Sequence, residues 1–443
     1  MMRLTFSLII GCLALSGCSS LLSSDESDQP RLEGERISIL DLQKDLSPSS
    51  TSQSITISTP PASLNTEWPQ AGGYPHHAMQ NLSVGTLNTP LERIWRADIG
   101  DGSSNKTPLN AKPVMAAGHV FTLDTNNKVK AFHNQTGQLK WVQDVQNPRE
   151  DDQVIAGGLA YADGNLFVTS GYNEALALNP ENGEILWRQT ISAGSRAAPT
   201  ILNRRVFINT MNNNLIALNA ADGKLLWEYE GVGETTGLLG AASPAANEQI
   251  VIPAFSNGDI AALRVENGST VWEDSLANSL RLGGMAGLSD IRGLPVIAGD
   301  RIIAASYGNR VAAFDINSGG RLWQKEISSA ETPWVAGNTV YILTPEAKLL
   351  ALNINDGKII WVASLQQYEN MESLKDPINW AGPIMINGNL MVSSSDGRVV
   401  ELDSTNGQEV KKWDAGDDIS ITPIVAEGTL LILTDDGTLS AYR

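Results

Sequence analysis

Cysteine is almost absent from this 443-residue chain: Cys12 and Cys18 are the only two, both near the amino end. A domain built from the rest has no thiol for a disulfide or a thiolate metal site, so packing must hold it together. Histidine is nearly as scarce: His76, His77, His119 and His133, with none beyond residue 133. Most of the chain therefore cannot offer imidazole to a metal ion. His76 and His77 are adjacent and diverge in extended chain, so a structural role is expected and no metal site. Positive charge is also short, 31 Lys and Arg against 49 Asp and Glu, for a net charge of −18. Such a surface disfavours nucleic acid and anionic lipid and favours a basic patch on a partner. No Ser/His/Asp set has credible spacing, and no phosphate-binding loop opens a helix.

What the chain has in quantity is one eleven-residue phrase, Ala-x-Asn/Asp-x-x-Asn/Asp/Thr-Gly-x-x-x-Trp. Clear copies are ALNPENGEILW at 177–187, ALNAADGKLLW at 217–227 and ALNINDGKIIW at 351–361. Its tryptophans are Trp95, Trp141, Trp187, Trp227, Trp272, Trp323 and Trp361, spaced 46, 46, 40, 45, 51 and 38 residues apart. An eighth copy is degenerate, with Glu401 in the Ala position, Lys411 where Trp belongs and Trp413 two residues late. Residues that recur in every unit are packing residues, because chemistry needs its residues once. The periodic acids Asp222, Asp315, Asp356 and Asp403 are accordingly read as turn residues, whereas Glu150-Asp151-Asp152 and Asp417-Asp418 are read as solvated faces or partner contacts.

Each unit contains four short β-branched or apolar runs separated by turn residues. Asp-Gly or Asn-Gly at the third break supplies the positive φ of a tight hairpin. Four strands in about 40–45 residues is the size of a propeller blade. The expected fold is therefore all-β, an eight-bladed β-propeller of four-stranded antiparallel blades over residues 91–443. The first Trp, in LERIW at 91–95, lacks its preceding half-phrase, and the last half-phrase, around Ala441, lacks its Trp. The two complement each other. They predict ring closure, with an N-terminal strand joining the C-terminal blade.

The phrase is similar to the tryptophan-docking motif of the quinoprotein, or PQQ-dehydrogenase-like, propellers. That resemblance implies an indole lodged between blades over the neighbour's glycine turn. Trp68-Pro69-Gln70-Ala71-Gly72-Gly73 likewise resembles the lead-in segment of those propellers, here assigned to residues 62–90. Dehydrogenases of this superfamily carry a vicinal cysteine pair and an acidic calcium site beneath their cofactor. This chain has no cysteine for the first, so no enzyme and no cofactor is expected.

Residues 1–17 read as a leader: Arg3, an apolar run at 4–15 too short to span a bilayer, then Leu15-Ser16-Gly17-Cys18, which resembles a bacterial lipobox. The resemblance implies lipidation of Cys18. Ser19 after it implies release to the outer membrane, on its periplasmic face. Residues 18–61 form a flexible tether in which 34–42 could pair with another protein's sheet.

Departures from regularity are where binding is expected. These are the glycine-rich loop 231–240 and long insertions at 274–290 and 364–378, the last compatible with a short helix. The apolar Leu238 and Leu239 point either to a partner site or to a plug for the channel. Lipobox, tether and a cysteine-free eight-bladed ring together resemble the propeller lipoproteins of the outer-membrane β-barrel assembly machinery. Membership implies a scaffold, one copy within a complex, that binds the periplasmic domains of the barrel insertase and aids delivery of nascent outer-membrane proteins. The partner-contacting loops of that family map onto Leu238, Leu239, Asp290 and Arg292. Leu239 and Arg292 stand where some members carry Arg and Asp.

Overall fold

The structure is a computed structural model that describes residues 46–49, 55–85, 91–150, 154–234, 237–277 and 288–443. The leader, Cys18, the 34–42 segment, Asp151, Asp152 and most of the 274–290 insertion lie outside the described residues. Eight four-stranded antiparallel sheets follow one another along residues 93–442. Blades 1 to 7 occupy residues 114–144, 158–190, 200–230, 245–275, 296–325, 334–364 and 380–414. In blade 8 the strand Arg93–Asp98 lies beside the final strand, Thr438–Tyr442, of the C-terminal sheet. The predicted closure is thus realised residue by residue: Trp95 pairs with Ala441, as Trp187 pairs with Ala177 within one blade.

The phrase is legible in the geometry. Its Ala lies directly across the hairpin from its Trp in six blades, and a bulge follows each pair. The small side chain leaves room for the indole. The bulge adds twist that aims the indole at the next blade. There each indole N–H donates to a backbone carbonyl three residues before the turn glycine. The acceptors are Asn134, Pro180, Ala220, Val265, Ile316, Ile354 and Ser404, at 2.8–3.1 Å. The turn glycines, Gly137 to Gly407, have φ of 65–77°, and a Cβ on any of them would stand 2.5–2.7 Å from the indole. Glycine is therefore required twice over, by the backbone and by the ring lying on it. Phe121, Phe167, Phe207 and Tyr341 back the indoles of their own blades at centroid separations of 5.8–6.0 Å.

The turn acids behave as expected. Asp315 Oδ1, for example, accepts from the N–H groups of Asn317 and Ser318. The 364–378 insertion is corrected. It is a β-hairpin of Tyr368–Asn370 and Lys375–Pro377, without a helix. Asn370 Oδ1 accepts from Glu372 and Ser373, and Leu374 and Asp376 take positive φ, so local turn bonds outcompete helix formation.

Candidate functional site

The lead-in segment is a strap that runs once around the axis of the ring. Asn65 bonds blade 8 through Val425 O and Glu427 N–H, and Trp68 pairs with Met115 of blade 1. Pro69 O accepts from Tyr161 of blade 2, and the Gln70 amide makes two bonds of 2.9 Å to Ile201 of blade 3. Pro75 O and His76 O accept from Ala246 and Ile297 of blades 4 and 5. Gln80 O accepts from the Trp334 indole of blade 6, Leu82 brackets Met385 and Asn387 of blade 7, and Gly85 returns to Gly428 of blade 8. Every one of these partners is in or beside the innermost strand of its blade.

His77 sits inside the strap, 3% exposed, its Nδ1 donating to Pro295 O at 2.7 Å. Its Nε2 is buried with no hydrogen-bond partner among the described residues. Burial, together with the neighbouring His76 and Lys112 charges, pulls its pKa down to about 4. The expected structural role of this histidine is what the geometry displays. The final part of the assigned tether is also seated: Thr56 O and Ser58 N–H both bond the Asn338 side chain of blade 6.

Antiparallel strands put the turns between strands 1 and 2 and between strands 3 and 4 on one face. The remaining turns and the blade-to-blade connections lie on the other. The strap touches the first face, at Ala117, Gly337, Asn387 and Gly428. The second face opens into a funnel of about 550 Å³ with Ala71 of the strap among its lining.

Leu238, Leu239 and Arg292, three of the four residues assigned to partner binding, line this funnel, and Asp290 stands behind them. Leu239 is 42% exposed and Leu238 half-buried. Asp290 is 3% exposed, so it does not itself present a surface. Its Oδ2 accepts from Leu238 N–H at 2.6 Å and so pins the loop. Burial raises the Asp290 pKa to about 6, partly offset by that N–H and by Arg292. Arg292 reaches Glu331 at 3.6 Å. The four residues therefore form one assembly, a carboxylate holding an apolar loop beside a guanidinium. Sequence reasoning missed Val232, 70% exposed in the same glycine-rich connection, and the funnel cations Lys112 and Arg196. Val232 could have been found by its membership of that loop. The two cations are single, aperiodic basic residues that carry no signal.

Both cysteines of the chain lie within its first 18 residues, and among the described residues no three acids or histidines are grouped to hold a metal ion.

Comparison with known proteins agrees with the geometry. A family profile described as "Outer membrane protein assembly factor BamB" matches residues 125–363. The protein of that name from Shigella dysenteriae serotype 1 is 27% identical over 351 residues, 78% of this chain and 87% of the relative. The crystal structure of BamB from Moraxella catarrhalis superposes with a TM-score of 0.69 at 19% identity, over 80% of this chain and all (100%) of that one. Quinohemoprotein alcohol dehydrogenase from Comamonas testosteroni gives 0.67 at 14% identity over 86% and 81% of the two chains, a likeness of fold alone.

Proposed function

Because the chain belongs to the family of outer membrane protein assembly factor BamB, we propose that it is a scaffold lipoprotein of outer-membrane protein assembly, with no catalytic role. In this reading Cys18 carries the lipid anchor, residues 18–61 form the tether, and the ring stands on the periplasmic face of the outer membrane. Its partner is the barrel insertase's periplasmic region, and nascent outer-membrane proteins are its further clients.

The observation that carries the reading is the pinned rim loop. Leu239 is exposed on a connection that Asp290 locks from behind and that Arg292 flanks. An apolar side chain held out on a rigid loop loses little entropy on docking, which is how small anchors gain affinity. The assigned residues therefore divide between two jobs: Leu239 and Arg292 meet the partner, whereas Asp290 shapes the loop they stand beside.

Crosslinking in native membranes followed by affinity capture and mass spectrometry tests this. Barrel-assembly components are expected, and their absence would refute the scaffold. Leu239→Glu should reduce capture at least tenfold with the melting temperature unchanged, because the residue is exposed. Asp290→Ala should reduce capture too, by freeing Leu238 N–H. Full capture by both variants would move the docking surface elsewhere.

A further inference from the structure

The funnel is anomalous in its charge. The chain carries a net −18, yet Lys112, Arg196 and Arg292 all face one cavity of about 550 Å³. The acids in its wall are Glu331 and Asp435. Glu331 is engaged by Arg292 at 3.6 Å, and Asp435 accepts from the Ser420 hydroxyl at 2.6 Å and its N–H at 3.2 Å. Lys112 Nζ and the Arg196 guanidinium have no hydrogen-bond or ion-pair partner among the described residues. Lys112 is half-buried, close enough to the strap for its charge to act on His77, and burial lowers its own pKa, with Glu331 opposing that shift and Arg292 adding to it. A desolvated cation is costly unless an anion joins it.

Among the uncharged residues of the wall, Leu109, Leu238, Leu239, Leu294 and Trp380 supply apolar surface. A cavity of this size suits a few residues or a small ligand. Its shape restricts the ligand further. The strap crosses the far end, with Ala71 in the lining and Tyr74 Oη donating to Asn65 Oδ1 across it at 3.2 Å, so the funnel is blind. A passing chain cannot thread a blind funnel, but a chain end can enter it. Three cations repel an amino terminus and attract a carboxylate.

We propose that the funnel receives the carboxyl-terminal end of a polypeptide. The terminal carboxylate sits between Lys112 and the two arginines, and the last side chain packs against the leucines and Trp380. Charge-assisted hydrogen bonds from Arg and Lys are the strong means of holding a carboxylate. The inference shares Leu239 and Arg292 with docking at the rim, but its test reads Lys112 and Arg196, which have no part in that reading.

Titration of a labelled pentapeptide, Ala-Ser-Ala-Ala-Leu, into the full chain by fluorescence anisotropy tests it. The free acid is expected to bind, and its carboxyl-terminal amide at least about tenfold more weakly, the cost of one charged hydrogen bond. Lys112→Met and Arg196→Gln should each weaken the free acid by about tenfold or more. Lys224→Ala, on an exposed turn, should leave it unchanged. Lys112→Met removes an unpaired cation, so its melting temperature should not fall, and Arg196→Gln is an independent second reading. Four outcomes would overturn the proposal: equal binding of acid and amide, wild-type binding by both variants, an amide with an internal Glu that matches the free acid, or no binding of the free-acid peptide by a chain that does bind inorganic phosphate.

Discussion

Seven of the eight seams between blades are built one way and the eighth another. At each of the seven an indole lies on a glycine turn and donates to a carbonyl three residues earlier. At the seam between blades 7 and 8 that device is missing from both sides. Blade 8 takes its third and fourth strands from opposite parts of the chain, so no turn joins them and there is no glycine to lie on. Correspondingly, blade 7 carries Lys411 for Trp, and the residue across the hairpin is Glu401 for Ala. A small-large pair has become a pair of opposite charges, which suits a cross-strand position without a docking platform. Trp413 packs on Tyr442 at 5.1 Å instead, its N–H buried without an acceptor among the described residues. The strap does the joining there, with Leu82 bonded to blade 7 and Gly85 to blade 8. The seams teach that the phrase is a two-body device: when the turn is lost, the Trp and its Ala are lost with it.

The sharpest way to break this comparison is at an ordinary seam. Trp187→Ala should cost about 3–5 kcal/mol in denaturant unfolding, through the cavity and the lost contacts. A loss below about 1 kcal/mol would mean that the indoles do not cement the ring. Gly223→Val should be at least as damaging, since its Cβ would stand 2.7 Å from that indole at φ of 72°.

The strap's half of the comparison is sharpened by pH. The folded pKa of His77 is lowered from 6.5 to about 4, so between those values the unfolded chain binds a proton that the folded one refuses. Stability from this group is complete above pH 6.5 and falls as pH drops toward 4, by about 3 kcal/mol. Asp290 acts oppositely: its pKa is raised from 3.8 to about 6, so its carboxylate stabilises less as pH rises through that window. Comparing pH-stability curves of the wild type and His77→Gln isolates the histidine. Parallel curves would show that the strap bears no load. The smallest effect belongs to the odd seam. Lys411→Trp should change stability by less than about 0.5 kcal/mol, because a half-buried indole there has no turn beneath it. A gain comparable to the loss in Trp187→Ala would erase the distinction between the seams.

The ring was readable because its packing residues repeat, and ring closure because Trp95 and Ala441 each carry half of a phrase. The strap was not readable, although Trp68 and Pro69 marked its start. It is held largely by backbone bonds, such as Pro69 O to Tyr161, which any residue could make. At the rim the resemblance named Leu238, Leu239, Asp290 and Arg292, and the fold brings the four together with Asp290 buried. An acid among turn residues looks solvated, and only the fold turns it inward onto Leu238 N–H. The 364–378 hairpin was missed because Asn370 and the positive φ of Leu374 decide it locally.

The strap visits the blades in the order 8, 1, 2, 3, 4, 5, 6, 7, 8 between Asn65 and Gly85. Its length therefore measures the circumference of the inner ring. A ring of seven blades or of nine would leave its donors and acceptors out of step with the strands they must meet. The segment lies early in the chain, yet it finds all its partners only when the last blade has formed. It is a gauge of completeness: its seating reports that the count of blades is right.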